Sequence, residues 1–224
     1  MANTELLKKL DAAIAARSLL KHPFYQDWQA GKLSREGLQL YAAQYYKHVE
    51  AFPGHLRVLA ARTEGPLQES IRGNLAEEEN PSAPHPLLWR HFAAAVGVDE
   101  DDLTCCPSLP GTKAVVQKFR EICGDRPVAE AVAALYAYES QVPEISATKM
   151  DGLKRFYGVT RAEGLEYFAV HEETDKLHRA AWREWLEEHT DGDEEEILKT
   201  ANEALDALWG ALDAVHCVRQ ELVQ

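Results

Sequence analysis

Along most of the chain, apolar residues recur at i, i+3, i+4 and i+7, and the runs are separated by short breaks rich in Pro, Gly or polar residues. That period is the signature of amphipathic helices, and strand-like alternation is nearly absent. The pattern predicts helices over 3–20, 34–61, 65–79, 85–96, 111–123, 126–148, 160–189 and 193–218. The class is all-α: one domain spanning 1–224, a bundle of about seven to eight helices, too long and too many for a minimal four-helix bundle. Three start signals support the boundaries. Ser34 precedes Glu36-Gly37, Thr160 with Glu163 reads as a capping box, and Asp125 stands before Arg126-Pro127. Two prolines, Pro53 and Pro143, fall inside predicted helices. An internal proline removes a backbone hydrogen bond and clashes with the carbonyl four residues back, so the 126–148 helix is expected to bend near Glu139.

The 160–189 helix breaks the rule that its inner face should be apolar. His171, Asp175 and His178 sit at i, i+4 and i+7, within roughly 60° of one another on an ideal helix. They share a face with Gly164, Tyr167, Phe168, Trp182, Trp185 and Leu186, whereas Glu166, Glu173, Lys176, Arg183, Glu184 and Glu187 lie opposite. Buried polar groups without partners cost a few kcal/mol each, and buried charges cost more, so something inside the fold must satisfy these three.

Other helices carry matching groups. Glu139 shares a side with Val128, Val132, Leu135, Tyr136 and Val142, with Glu130, Ala134, Gln141 and Glu144 opposite. Glu78 lines up with Leu67, Ile71 and Leu75, while Glu77 and Glu79 lie about 100° to either side. His85 follows the turn that Glu78 enters, which favours it over His91. Three carboxylates (Glu78, Glu139, Asp175) and three imidazoles (His85, His171, His178) form a donor set for two transition-metal ions. Mixed N/O donors suit iron or manganese better than structural zinc, which prefers four ligands and often thiolates. There is no duplicated Glu-x-x-His of the ferritin type. The competing reading is that arginines such as Arg17 or Arg155 neutralise the carboxylates.

Composition narrows the function. The 224 residues are 46% hydrophobic and 27% charged, with a net charge of −13. Nucleic-acid and anionic-membrane surfaces need clustered Lys and Arg, so neither partner is expected, and a homodimer is left open. No apolar run approaches the ~18–20 residues that span a bilayer. The N-terminal segment is amphipathic and interrupted by Glu5, Lys8, Lys9 and Asp11, unlike a secretion signal. Cys105, Cys106, Cys123 and Cys217 show no CxxC spacing, which suits reduced thiols in a cytoplasmic protein. Eight tyrosines are present, several on helices that would line the centre, and Lys149 reads as an ordinary surface lysine.

Six segments carry a resemblance: His22-Pro-Phe-Tyr25, Tyr45-Tyr46-Lys-His-Val-Glu-Ala-Phe-Pro53, Glu78-Glu-Asn80, His85-Pro-Leu-Leu-Trp89, Ala133-Ala-Leu-Tyr-Ala-Tyr-Glu-Ser-Gln141 and His171-Glu-Glu-Thr-Asp175-Lys-Leu-His178. Together, and over about residues 5–215, they resemble the family of the Chlamydia protein associating with death domains. More distantly the chain is similar to pyrroloquinoline quinone synthase and thiaminase II proteins. The resemblance implies a haem-oxygenase-like helical fold and two metal ions (Fe/Fe or Mn/Fe) on the same six residues. It also implies O2 and an external reductant, and formation of 4-aminobenzoate for folate biosynthesis from a tyrosine of the protein itself in a single turnover. The matching positions are Tyr25 for the ring and Lys149 for nitrogen. A nitrogen donor must be neutral, so Lys149 is expected to face the metal cavity and be desolvated there. Tyr138 and Tyr167 are expected as bystanders or radical relays.

Three rival functions are a di-iron oxidase acting on an external small molecule, such as a fatty acid, a non-enzymatic protein that binds death domains, and a cofactorless or thiaminase-type enzyme on the same fold. The chain offers no exposed apolar stripe for the second. A thiaminase-type enzyme would use a cysteine nucleophile, and none of the four cysteines lies on the inner face of the 160–189 helix.

Overall fold

A computed structural model describes residues 4–189 and 193–222, and among them the only regular structure is helical. The helices are α1 (Thr4–Ala16), α2 (Pro23–Gln29), α3 (Arg35–Ala60), α4 (Gly65–Glu78), α5 (His85–Ala95) and α6 (Glu100–Cys105). They continue with α7 (Pro110–Asp125), α8 (Val128–Glu139), α9 (Val142–Phe156), α10 (Glu166–Glu188) and α11 (Glu194–Leu222). Short 3-10 turns cover Leu19–Lys21 and Ala162–Gly164. The all-α expectation holds. Position 3, the expected start of the first helix, lies outside the described residues.

The core is organised around α8. Every residue from Glu130 to Glu139 is buried, so this helix is enclosed on all sides rather than amphipathic. It lies between α10 and α11, with α7, α1 and α9 also against it. The expectation that Glu130 faces outward is therefore corrected: it is buried and accepts a hydrogen bond from Thr200 Oγ1 of α11. The long α3 packs along α7, α4 and α5 and places Tyr41, His48 and Phe52 inside.

Prolines explain most of the boundary corrections. Pro23, Pro66, Pro86, Pro110 and Pro143 all occupy the first turn of a helix, where no N–H is needed and the fixed φ fits. Pro143 therefore starts α9 instead of kinking a continuous 126–148 helix, and the chain breaks at Ser140-Gln141, directly after Glu139. The short helices α2 and α6 were not anticipated; each is seven residues or fewer, below the length at which a periodic pattern is legible. The first helix stops at Ala16 rather than 20. Of the start signals, Ser34 holds: its Oγ accepts from Gly37 N at 3.1 Å. Thr160 does not cap, because a 3-10 turn intervenes and α10 starts at Glu166. Asp125 closes α7, and Pro127 rather than Asp125 precedes α8.

One close approach sets the geometry of the site. At Gly152 of α9 a Cβ would lie 2.6 Å from Trp28 Cδ1 and Nε1, so only glycine lets α2 press onto α9. There Trp28 Nε1 donates to Lys149 O at 3.3 Å. Tyr25 of α2 and Lys149 of α9 are thereby held on neighbouring walls of one cavity.

Candidate metal centre

The six expected donors converge from four helices, and all six are buried. Glu78 is the last residue of α4, His85 the first of α5 and Glu139 the last of α8, while α10 supplies His171, Asp175 and His178. They fall into two groups, Glu78/His85/His171 and Glu139/Asp175/His178, within each of which the donor atoms lie within 4.8 Å of one another. The 3.6-residue period turns one helix into a contributor to both: His171 serves the first group, Asp175 and His178 the second. Arg17 pairs with Asp206, and Arg155 with Asp151 at 3.0 Å, so neither neutralises these carboxylates.

The donor atoms suit cations better than each other. His85 Nδ1 lies 3.0 Å from Glu78 Oε2, yet the two make no hydrogen bond. Two ligands about 2.1 Å from one ion, at a right angle, lie about 3 Å apart. Asp175 Oδ2 is also buried without a hydrogen-bond partner. Glu78 and Glu139 both stand at helix C-termini, where the macrodipole disfavours negative charge and a cation offsets it.

The electrostatics follow from crowding these groups away from water. Burial pushes the Glu139 carboxyl up to about 8 and Asp175 up to about 6. Burial and the neighbouring His85 hold His171 well below the usual imidazole range. At His178 burial pulls down, but the Asp175 hydrogen bond and the charges of Glu139, Asp175 and Glu77 outweigh it, to about 9. A divalent ion in each group would replace protons as the balancing charge.

Neighbouring side chains orient the donors. His171 Nδ1 donates to Tyr167 O at 2.7 Å, which leaves Nε2 as the nitrogen with a lone pair. Glu139 Oε2 accepts from Trp182 Nε1 at 2.7 Å, and Asn74 Nδ2 donates to Glu139 Oε1 at 3.2 Å. Asn74 was missed from sequence. Its position four residues before Glu78, on the same face of α4, is the signal that could have found it.

Beside the donors is a buried cavity lined by Tyr25, Tyr41, Tyr45, Tyr138, Lys149 and Tyr167, among others. Lys149 is not a surface residue: it is 3% exposed and burial lowers its amine to about 7. Its Nζ donates to Tyr41 Oη at 2.6 Å and lies within 5.0–5.6 Å of the ring centres of Tyr25, Tyr41, Tyr45, Trp89 and Phe168. Tyr41 Oη lies 3.3 Å from Tyr25 Oη, so one hydroxyl links the two residues implied by the resemblance. Tyr45 and Tyr138 form a second phenol pair at 2.8 Å. Burial raises the phenols of Tyr25, Tyr41, Tyr138 and Tyr167, so all four stay protonated. Ring contacts run without a break from the donors to the cavity. Tyr167 packs on His171 at 4.1 Å between centres, Trp89 on Tyr167 at 4.8 Å and on Tyr45 at 4.9 Å. Tyr41, unassigned in the sequence reading, is the hub.

An all-helical fold thus gathers two buried N/O donor groups, each able to hold a metal ion, beside a tyrosine-rich cavity. The architecture is shared with solved haem-oxygenase-like helical proteins: a domain of unknown function with that fold from Shewanella denitrificans superposes with a TM-score of 0.82 at 17% identity, covering 100% of this chain and 96% of that one. Residues 39–209 match the family described as iron-containing redox enzymes, and the chain belongs to that family. It is 40% identical to the 4-aminobenzoate synthase of Nitrosomonas europaea, over 96% of this chain and 93% of the relative. It is 37% identical to the 4-aminobenzoate synthase of Chlamydia pneumoniae, over 94% and 95%.

Proposed function

We propose that this protein is an oxygen-dependent two-metal oxidase that forms 4-aminobenzoate from its own Tyr25, with Lys149 as nitrogen donor. Glu78, His85 and His171 would hold one ion, and Glu139, Asp175 and His178 the other. Two iron ions, or iron with manganese, together with O2 and an external reductant, would supply the oxidising power. Free cysteines and the absence, among the described residues, of a helix able to cross a membrane are compatible with a cytoplasmic site of action.

The observation that carries the reading is that the aromatic ring and the amine are already inside, side by side. The cavity leaves the centre of a water molecule about 40 Å3 to move in. That is small beside the roughly 300–1,000 Å3 of clefts that bury drug-sized ligands, so the space suits dioxygen or water better than a fatty acid. An external aromatic substrate would have to displace the Tyr25 ring. Among the described residues Lys149 has no carboxylate partner, and it stands among rings, so near neutral pH much of it is the free amine that nitrogen transfer requires. Tyr41 fixes that amine relative to the Tyr25 hydroxyl through one shared oxygen. Trp28, wedged on Gly152, holds α2 so that the Tyr25 ring cannot drift. The buried lining excludes bulk water, which would otherwise compete for an oxidised ring.

The test is to load the protein with iron, or iron plus manganese, add reductant and O2, and follow intact and peptide mass. Loss of mass at Tyr25, with at most one equivalent of 4-aminobenzoate, is the expected result. An unchanged 22–35 peptide alongside turnover of an added substrate would refute the self-consuming route and favour the external-substrate oxidase.

A further inference from the structure

The two histidines of α10 are anchored differently. His171 gives its outer N–H to a neutral backbone carbonyl, that of Tyr167. His178 turns Nδ1 toward its own group, 3.2 Å from Asp175 Oδ1 and 3.6 Å from Glu139 Oε2. Its other nitrogen, Nε2, faces Glu77 Oε2 at 3.3 Å. Both of those atoms are buried and neither has a hydrogen-bond partner, so a small rotation of either side chain would join them. Glu77 was placed on the flank of α4 by helical period, about 100° from Glu78. The fold uses that angle: consecutive acids of one helix reach opposite sides of the centre, Glu78 as a donor in the first group and Glu77 behind the histidine of the second.

We infer that Glu77 is a positioning residue for the second metal group, accepting a hydrogen bond from the Nε2–H of His178 so that Nδ1 is presented to the ion. The inference rests on the two-metal reading above. A carboxylate behind a ligating imidazole fixes its tautomer and ring orientation and makes it a stronger donor, and losing such a partner typically costs 10–100-fold in metal affinity. The two halves of the centre then differ in kind. The first has one carboxylate and two imidazoles, with a neutral carbonyl behind His171; the second has two carboxylates and one imidazole, with a third carboxylate behind it. The second half is the harder and more electron-rich site.

Anaerobic equilibrium dialysis against ferrous iron alone, with bound metal counted for wild type, Glu77→Ala, Glu77→Gln, His178→Ala and the Glu77→Ala/His178→Ala pair, tests this. Wild type is expected to take two ions. Glu77→Ala should weaken one of them by 10–100-fold and leave the other unchanged, and Glu77→Gln, whose amide oxygen still accepts from Nε2, should recover most of the loss. In the His178→Ala background, removing Glu77 should cost nothing further. Glu77→Ala that binds both ions like wild type overturns the inference. So does Glu77→Gln as weak as Glu77→Ala, or a further loss in the His178→Ala background, since either would make Glu77 a ligand in its own right. Wild type that takes fewer than two ions overturns the two-metal reading itself, and Glu77's part falls with it. Because the Glu77 side chain is 42% exposed, metal-free Glu77→Ala and Glu77→Gln should melt with wild type, which separates a metal effect from a folding defect.

Discussion

Replacing Lys149 with methionine should make the protein more stable, and should do so only below about pH 10. The wild-type amine falls from its ordinary 10.5 to about 7 because burial penalises the charged form. At about 1.36 kcal/mol per pH unit, that fall of about 3.5 units corresponds to about 5 kcal/mol charged against the folded state at pH 7 and below. Between pH 7 and 10.5 the unfolded chain binds this proton and the folded chain does not, so wild-type stability rises with pH, by up to about 1.4 kcal/mol per unit from this residue. Above 10.5 the penalty vanishes. Methionine is of similar length and carries no charge, and losing the hydrogen bond to Tyr41 returns about 1–2 kcal/mol. The net expectation for Lys149→Met is a gain of about 3 kcal/mol at pH 6.5 that shrinks to nothing or reverses by pH 10. Urea unfolding of the metal-free protein at pH 6.5, 8 and 9.5 measures it. A variant less stable than wild type at pH 6.5, or a difference that does not change with pH, would show that the amine is charged and satisfied in the cavity, and the argument for a neutral nitrogen donor would fail.

Further expectations follow from the same geometry. The yield of 4-aminobenzoate should rise with pH through about 7 as Lys149 loses its proton, and a yield that is flat from pH 6 to 8.5 would count against the amine as donor. Tyr25 is 2% exposed, so Tyr25→Ala, a mimic of the spent chain, should lose about 3–5 kcal/mol and melt roughly 10 °C lower; calorimetry of fresh and reacted protein should show the same gap. Gly152→Ala drives a methyl into the Trp28 indole, fully buried and unable to retreat, and should cost about 1–3 kcal/mol. It should also abolish Tyr25 consumption while leaving two ions bound, and normal consumption in that variant would show that the α2–α9 contact does not set the distance. Ferrous iron at a hundred times its dissociation constant should stabilise the protein by about 2.7 kcal/mol per site, and His171→Ala should lose that increment for one ion only.

The donors were legible because each interrupts an apolar face. His171, Asp175 and His178 stand where α10 should be greasy, and Glu78 and Glu139 do the same on α4 and α8; a 3.6-residue period is enough to see it. The orienting residues were less so. Asn74 lies on the same face as Glu78 but is an ordinary buried amide until Glu139 is beside it. Glu77 looked outward by angle alone, because helical period says where a side chain leaves the backbone and not what the next helix brings to meet it.

By itself, then, the pattern of the chain determined that the protein is helical, that the Glu78 face of α4 and the His171 face of α10 are inside, and that six polar side chains require balancing charge. These follow from local period and from the cost of burying polar groups, both properties of a segment on its own. Only the tertiary structure decided that the six divide three and three, that Pro143 begins a helix after Glu139 instead of bending one, and that Lys149 and Tyr25 meet through Tyr41. Lys149 is the clearest case. On its own segment it is an unremarkable lysine, and the downward shift of its amine comes from burial among Trp89, Phe168 and the tyrosines that four other helices pack around it, since the free energy of an ionised group is set by its surroundings rather than by its neighbours in sequence.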